Sequence, residues 1–376
     1  MEKVTRRKFI TTAGALAAAL PLGAAAFDFV PSAGESFHFV LLGDLHFDKL
    51  AHHDMEYVKS KYPNDIQQIE NYSRITRDNL PGLLKVAKEK GVNLNADFYL
   101  QLGDFVEGLC GSESLAQQQT REFISLVADQ RLNRPFFVTK GNHDITGEGA
   151  KETYQRTVLP WQSKELAKPV PNANATFVHK NARFVMFDCF TENESLDWLK
   201  EVLAEHREEL LFFCIHYPVV PFNARSTWHV FAKPHQQTRR EELLNLLGQH
   251  RAIVLCGHLH KTNLLTRNTP RGNFVQVCLG SVIPAPTAPV QDHLRGIQFY
   301  KADLVNREPD FSPSTLQERR AVLEKEASHV KHYEYADCCG YATVIITSKS
   351  KVMLSIFVNA DKTPWTTVDL AGLFQV

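Results

Sequence analysis

Hydrophobic residues gather into seven short runs, at 37–42, 98–102, 135–139, 184–187, 211–215, 253–256 and 274–279. Most are nearly continuous rather than alternating, the pattern of strands buried on both faces. The stretches between them carry helical periodicity. Leu80, Leu83, Leu84 and Ala87 share one face, with Pro81 suited to the first turn and Gly91 to the stop. Leu196, Leu199 and Leu203 form a second stripe, and Leu243, Leu244 and Leu247 a third. Alternating strands and helices predict a layered α/β core. Residues 48–79 are polar and dotted with aromatics, a helical excursion or a lid near the end of the first run. Residues 169–175 read as a loop leading into a hairpin of 176–180 with 182–188. Near Leu294 the texture changes. A charged helical run at 315–331 precedes strands at 341–347 and 352–358 around a Ser-Lys-Ser-Lys turn. This tail is expected to add strands to the main sheet rather than fold alone. No internal repeat appears.

Five polar clusters stand just after strand-like runs: Gly43-Asp44-Leu45-His46, Gly103-Asp104-Phe105-Val106-Glu107, Gly141-Asn142-His143-Asp144, Ile215-His216-Tyr217-Pro218 and Gly257-His258-Leu259-His260. In α/β sheets, sites form outside the carboxyl ends of strands, so residues far apart in sequence converge there. A glycine ahead of the key polar residue permits a tight turn and close backbone approach. Asp44 and His46 stand two apart, as do His258 and His260, and an extended segment would point both members the same way. Imidazoles and carboxylates in this number would hold two divalent cations side by side, a device for cleaving phosphate esters.

In order and spacing the clusters resemble the signature of the calcineurin-like metallophosphoesterase family: G-D-x-H, G-D, G-N-H-D, an isolated His, then G-H-x-H. The resemblance runs from about Phe37 to Ser281. It implies an α/β fold of four layers, with two packed, mostly β sheets flanked by helices. It also implies that Asp44, His46 and His260 hold one metal, that Asn142, His216 and His258 hold a second, and that Asp104 bridges the two. The implied cofactors are two divalent ions, and manganese, iron and zinc all suit such ligands. By the same resemblance, a hydroxide shared by the metals attacks phosphorus and His143 assists the leaving group. Asp144 is expected to orient His143 and raise its basicity. Purple acid phosphatases, relatives within the superfamily, carry Gly where His46 stands and a metal-binding Tyr where Glu107 stands. Their iron–tyrosinate pair is therefore not expected, and Glu107 is either a carboxylate supporting the ligands or a solvated loop residue.

The choice of ester stays open between monoesters and diesters, cyclic nucleotides included. The loop after His216 carries Tyr217, Phe222, Arg225, Trp228, His229, Phe231 and His235. Such a loop offers aromatic surface and a cation to an organic phosphate, or it is ordinary packing. His52 and His53 read as exposed histidines on a polar helix.

Composition narrows location and partner. In the 376 residues, 44% are hydrophobic and 22% charged, ordinary values for a soluble globular protein. Thr5-Arg6-Arg7-Lys8-Phe9-Ile10 leads into a charge-free, alanine-rich stretch ending at Ala24-Ala25-Ala26. This resembles a twin-arginine export signal, which implies the twin-arginine machinery as a partner and a periplasmic or otherwise exported protein. Pro21 and the abundance of Ala and Gly make the stretch a poor membrane span. The domain plan is then a signal at 1–26, a catalytic domain at 36–300, and a helix and β-hairpin extension at 301–376 on the same domain. Without the first 26 residues the chain carries 38 basic and 41 acidic side chains. That balance gives no long-range pull on nucleic acid, which favours a small phosphorylated substrate over a nuclease role. An inactive binding module on the same fold is opposed by the presence of every expected ligand and of His143. Seven cysteines leave at least one unpaired. Cys189, Cys214, Cys256 and Cys278 lie in apolar runs and read as small hydrophobes, while Cys338 and Cys339 are left either paired or reduced.

Overall fold

The computed structural model describes residues 36–130, 134–311 and 313–375, so the expected export signal lies outside the described residues. Among the described residues the strands are β1 (Phe37–Leu42), β2 (Phe98–Gln101), β3 (Phe136–Val138), β4 (Ala175–His179), β5 (Ala182–Phe187), β6 (Leu210–Ile215) and β7 (Ile253–Cys256). They continue as β8 (Thr262–Thr269), β9 (Gly272–Cys278), β10 (Gln291–Arg295), β11 (Val330–Asp337), β12 (Gly340–Ser348), β13 (Lys351–Val358) and β14 (Thr366–Asp369). One sheet has the order β14-β13-β12-β1-β2-β3 and the other β10-β11-β8-β9-β7-β6-β5-β4. β1, β2 and β3 run parallel, as do β5, β6, β7 and β9. Each set therefore ends on one side of its own sheet.

Aromatic side chains join the two sheets. The Phe39 ring of β1 lies 5.6 Å from both Phe184 of β5 and Phe212 of β6. Phe98 of β2 lies 5.3 Å from Phe184, and all four rings are buried. Truncating any one of them removes about 3–5 kcal/mol. Tyr99 follows Phe98 and so faces the other side of the sheet, where it meets the helix Leu80–Asn93. Leu196, Leu199 and Leu203 of the helix Glu192–Ala204 pack with Leu243, Leu244 and Leu247 of the helix Gln237–Gln249 against the second sheet. The layers run helix, sheet, sheet, helix, as the resemblance implied. No helix among the described residues is long and apolar enough to cross a membrane.

Several expectations need correction. Gly91 does not stop its helix, which continues to Asn93. It is a contact residue, since a Cβ there would come within 2.4 Å of the Tyr99 hydroxyl. The tail adds strands, as expected, but to both sheets rather than to one. β12 pairs antiparallel with β1 at the centre of the first sheet, while β11 pairs with β8 in the second. Val330 and Lys331, assigned by pattern to the helix, begin β11, because the helix ends at Ala327. All seven cysteines are free and buried.

β8 escapes a hydrophobic pattern because it buries Thr262, Asn263, Thr266 and Arg267. Their partners come from distant segments. Asn263 donates to the carbonyl of Glu334 at 2.8 Å. Arg267 Nε reaches Glu326 Oε2 at 2.7 Å, and Arg240 Nη2 reaches Oε1 of the same carboxylate at 2.7 Å. Arg240 Nη1 also donates to the carbonyls of Val219 and Val230, at 2.8 and 3.2 Å, at either end of the loop after β6. Burial pushes the Glu326 carboxyl up, but the two guanidinium charges outweigh it and hold the group at about 2.

Replacing Glu326 by Gln would leave two buried guanidinium groups under-compensated, at a cost of about 3–5 kcal/mol, read as a lowered urea midpoint. The sign with pH follows from the depressed value. The stabilisation is complete above the ordinary 4.5 and is lost as pH falls towards about 2. The variant's deficit relative to the parent should therefore shrink in acid, and a deficit that grows there would refute the assignment.

Candidate metal centre

Each polar cluster occupies the turn after a strand. Asp44 and His46 follow β1, Asp104 follows β2, Asn142 and His143 follow β3, His216 follows β6, and His258 and His260 follow β7. The first three strands belong to one sheet and the last two to the other. Packing the sheets face to face brings all five turns together. Three overlapping trios result: Asp44, His46 and His260; His46, Asp104 and His143; and Asp104, His216 and His258. Within each trio the potential ligand atoms lie within 4.8 Å of one another.

Asp104 stands at the middle. Its Oδ1 accepts from the backbone N–H of His143 at 2.8 Å. Its Oδ2 lies 3.1 Å from His216 Nε2 and 3.7 Å from His46 Nε2. His46 Nε2 in turn is 3.0 Å from His260 Nε2. The side-chain oxygen Oδ1 of Asn142 lies 3.1 Å from His216 Nε2. The Nδ1 of His216 faces the carbonyl of Leu102 at 2.8 Å, which fixes a proton on that nitrogen. Its Nε2 then meets two acceptor oxygens with a lone pair unless a cation lies among them. A proton is the smallest such cation. Burial opposes that charge, but Asp104 and Asp44 outweigh burial and lift His216 to about 9. His46, His258 and His260 go the other way, lowered first by burial and then by neighbouring imidazoles. Neutral His46, His258 and His260, together with the carboxyl groups of Asp44 and Asp104, form a donor set that fits divalent metal.

The turns are not extended, contrary to the simple reading of residues two apart. His46, Asp104, His258 and His260 all have positive φ, at 44°, 54°, 74° and 50°. Such left-handed backbone costs non-glycine residues about 1–3 kcal/mol each and persists only where surroundings impose it. His258 and His260 consequently serve different trios. Gly141 is required by proximity, since a Cβ there would lie 2.1 Å from Asp104 Oδ1.

A family model described as calcineurin-like phosphoesterase matches residues 37–262. The chain belongs to the calcineurin-like phosphoesterase family. It is 27% identical over 229 residues to tartrate-resistant acid phosphatase type 5 of Sus scrofa, a match covering 54% of this chain and 63% of that protein. Against the Homo sapiens protein of the same name, identity is 26% over 202 residues, covering 46% and 58%. The chain thus spans rather less than two thirds of these relatives' length. Among solved structures, the purple acid phosphatase PPD1 from yellow lupin (Lupinus luteus) seeds superposes with a TM-score of 0.52 at 14% identity, over 90% of this chain and 54% of that one. A structure of PhoD gives 0.51 at 12% identity, over 90% and 70%. These two likenesses concern the fold.

Within this calcineurin-like centre, Glu107 takes the supporting one of its two expected roles, and Asp144 raises the basicity of His143 through its charge, as expected, without orienting the ring by a hydrogen bond. Asp144 does not hydrogen-bond the His143 ring. Its carboxylate accepts from the backbone N–H groups of Gly141, Phe105, Asp104 and Val106, at 2.7, 3.0, 3.1 and 3.3 Å. It shapes the Asp104 turn, a role invisible in sequence because the four amides become neighbours only after folding. Glu107 takes the imidazole contacts instead. It is fully buried, so the solvated reading falls. Its Oε2 lies 2.5 Å from His46 Nδ1 and 3.3 Å from His143 Nδ1, while its carbonyl is 2.8 Å from the latter. Gln68 donates to Oε1 at 2.9 Å.

Residues 48–79 form helices, and Ile66–Asp78 covers the centre on the His46 side. Tyr72 of that helix stacks on His46 at 4.2 Å between ring centroids, with its hydroxyl 3.5 Å from His260 Nδ1. Nothing in its sequence position marks Tyr72 or Gln68. His52 and His53 are buried, not exposed. His53 Nε2 pairs with Asp48 at 2.7 Å and His52 Nε2 with Glu122 at 3.1 Å. The loop after His216 divides: Phe222, His229 and Phe231 are buried, His235 is exposed, and Tyr217 and Trp228 are half-buried beside His258.

Glu107→Gln should weaken divalent-metal binding about 10–100-fold, the usual effect of removing a carboxylate behind a ligating histidine. Calorimetric titration of the metal-free protein measures it, and unchanged affinity would remove Glu107 from the centre. Gly141→Ala should displace the Asp104 turn and lower metal affinity although no ligand is altered, while Gly82→Ala, where a Cβ meets nothing within 4 Å, serves as the control.

Proposed function

We propose that this chain is a phosphoester hydrolase working with two divalent cations. Asp44, His46 and His260 would hold one, Asn142, His216 and His258 the other, and Asp104 both. The observation that carries this reading is the convergence of acceptor atoms around Asp104 Oδ2 from the ends of five strands, in a chain of the calcineurin-like phosphoesterase family. When bound, such a pair supplies Lewis-acid polarisation of the phosphoryl group and activation of water. The protein's own residues supply the frame and a proton. Asp104 and Asp44 are fixed by backbone donors, the latter by the N–H of His258 at 2.8 Å, so the centre needs little reorganisation.

His143 is suited to the proton. Burial lowers its basicity, but Glu107 and Asp104 outweigh that and raise it to about 9. Its Nδ1 is engaged by Glu107, and 18% of its side chain remains open to solvent. An imidazolium at this rim can donate to the departing alkoxide. The substrate is a small phosphorylated compound, and the near-neutral balance of charge supports this over nucleic acid. Export by the twin-arginine route is part of the same proposal, supported by Arg6-Arg7 and the alanine-rich stretch behind them.

Asp104→Ala and His258→Ala should each abolish hydrolysis and lower the metal content of a protein whose circular dichroism is retained. Full activity in either would discredit the centre. His143→Ala should keep both metals and slow turnover about 10²–10⁴-fold, whereas loss of metal would make His143 a ligand, as its place in one of the trios allows. An aryl phosphate monoester assayed beside a bis-aryl diester, after metal reconstitution, separates the two ester classes.

A further inference from the structure

The centre opens into a wide cavity on one flank. On the His46 side the helix Ile66–Asp78 closes over it through Tyr72. On the other side, a cavity of about 730 Å³ begins at Asn142 and His258, within the size range of organic-ligand sites. Three half-buried aromatic rings form its near walls. Tyr217 lies 4.2 Å from the His258 ring, Trp228 lies 5.1 Å from it, and Phe190 stands 5.4 Å from Tyr217. All three rings pack on the core behind them and leave one part exposed around a single opening. The far wall is polar: Glu192 accepts from Gln236 Nε2 at 2.5 Å and from the backbone N–H of Phe231 at 3.3 Å.

Trp228 is braced from behind. The Arg225 guanidinium carbon sits 5.4 Å from the Trp228 ring and 5.0 Å from Phe311, and its Nε pairs with Glu308 at 2.8 Å. Phe311 itself meets Trp228 edge-on at 4.9 Å. Glu308 and Phe311 lie beyond the residues matched by the family model, so this bracing comes from the chain's own tail. A ring held in place by a stacked cation and a second ring loses little freedom on meeting a ligand, which favours recognition of a flat partner.

We propose that this cavity seats the organic group of the ester and that the group carries a planar ring, from either an aryl or a nucleoside source. The proposal rests on the hydrolase reading above. Trp228 and Tyr217 select the ring, while the phosphoryl group lies over Asn142 and His258. Glu192 and its neighbours meet polar substituents at the far end.

The test compares benzyl, nucleoside 5′ and ethyl esters of phosphate, all primary alkyl leaving groups, in whichever of the monoester and diester series is turned over. Calorimetric binding of benzylphosphonate and ethylphosphonate to the metal-loaded protein runs alongside. The parent should favour ring-bearing esters through KM. Trp228→Ala should cut the benzyl-to-ethyl preference about tenfold, the effect of one lost stacking partner, and Trp228→Phe should restore most of it. Preference for benzyl and nucleoside esters alike assigns a general ring site, and preference for one alone identifies the source. Equal use of ringed and ringless esters, or a preference untouched by Trp228→Ala, overturns the ring site and leaves the hydrolase standing. Tighter binding of benzylphosphonate that Trp228→Ala removes, without hydrolysis of any ester, keeps the ring site and defeats the hydrolase reading instead.

Discussion

Face-to-face packing of the two sheets is the constraint on which the centre depends. Neither sheet alone supplies all the candidate donor groups. β1, β2 and β3 deliver Asp44, His46, Asp104 and Asn142, while β6 and β7 deliver His216, His258 and His260. The rings of Phe39 and Phe98 against Phe184 and Phe212 set the relation between them. Dense packing resists small displacements, so the close spacing of acceptor atoms is imposed from the core rather than chosen by the turns. That is also why four non-glycine residues at the centre can hold left-handed backbone. The burial energy of the sheets exceeds the local strain by a wide margin.

Electrostatic preparation adds a second layer. Backbone amides are directed at the outer faces of the carboxylates. The His258 amide meets Asp44, the His143 amide meets Asp104 Oδ1, and four amides meet Asp144. Imidazole nitrogens and carboxylate oxygens face inward. Glu107 links two imidazoles to that frame, touching His46 through its carboxylate and His143 through both carboxylate and carbonyl. A cation is the natural complement of this arrangement, because buried like-signed density without one is costly.

The tail connects stability to recognition. Glu326, from the helix Leu316–Ala327, neutralises Arg240 and Arg267, and Arg240 secures the carbonyls of Val219 and Val230. Glu308 and Phe311 brace Arg225 and Trp228 in the same loop. Residues after 300 thus complete both sheets and also shape the cavity wall.

The amino-acid sequence by itself determined the strands that carry the site, the order of the five clusters and the helices with clean apolar stripes. Those features are local: unbroken apolar runs of Phe, Leu, Ile and Val fit two-sided burial, and Gly before Asp, Asn or His marks a turn. Tertiary structure alone decided the rest. β8 and β11 hide polar side chains whose partners lie many residues away. Asp144 accepts its hydrogen bonds from amides rather than from the adjacent imidazole, Glu107 is buried, and Tyr72 reaches His46 from a helix with no motif. In each case the deciding quantity is a contact between distant segments, and a one-dimensional pattern holds no record of which polar groups folding will bring together.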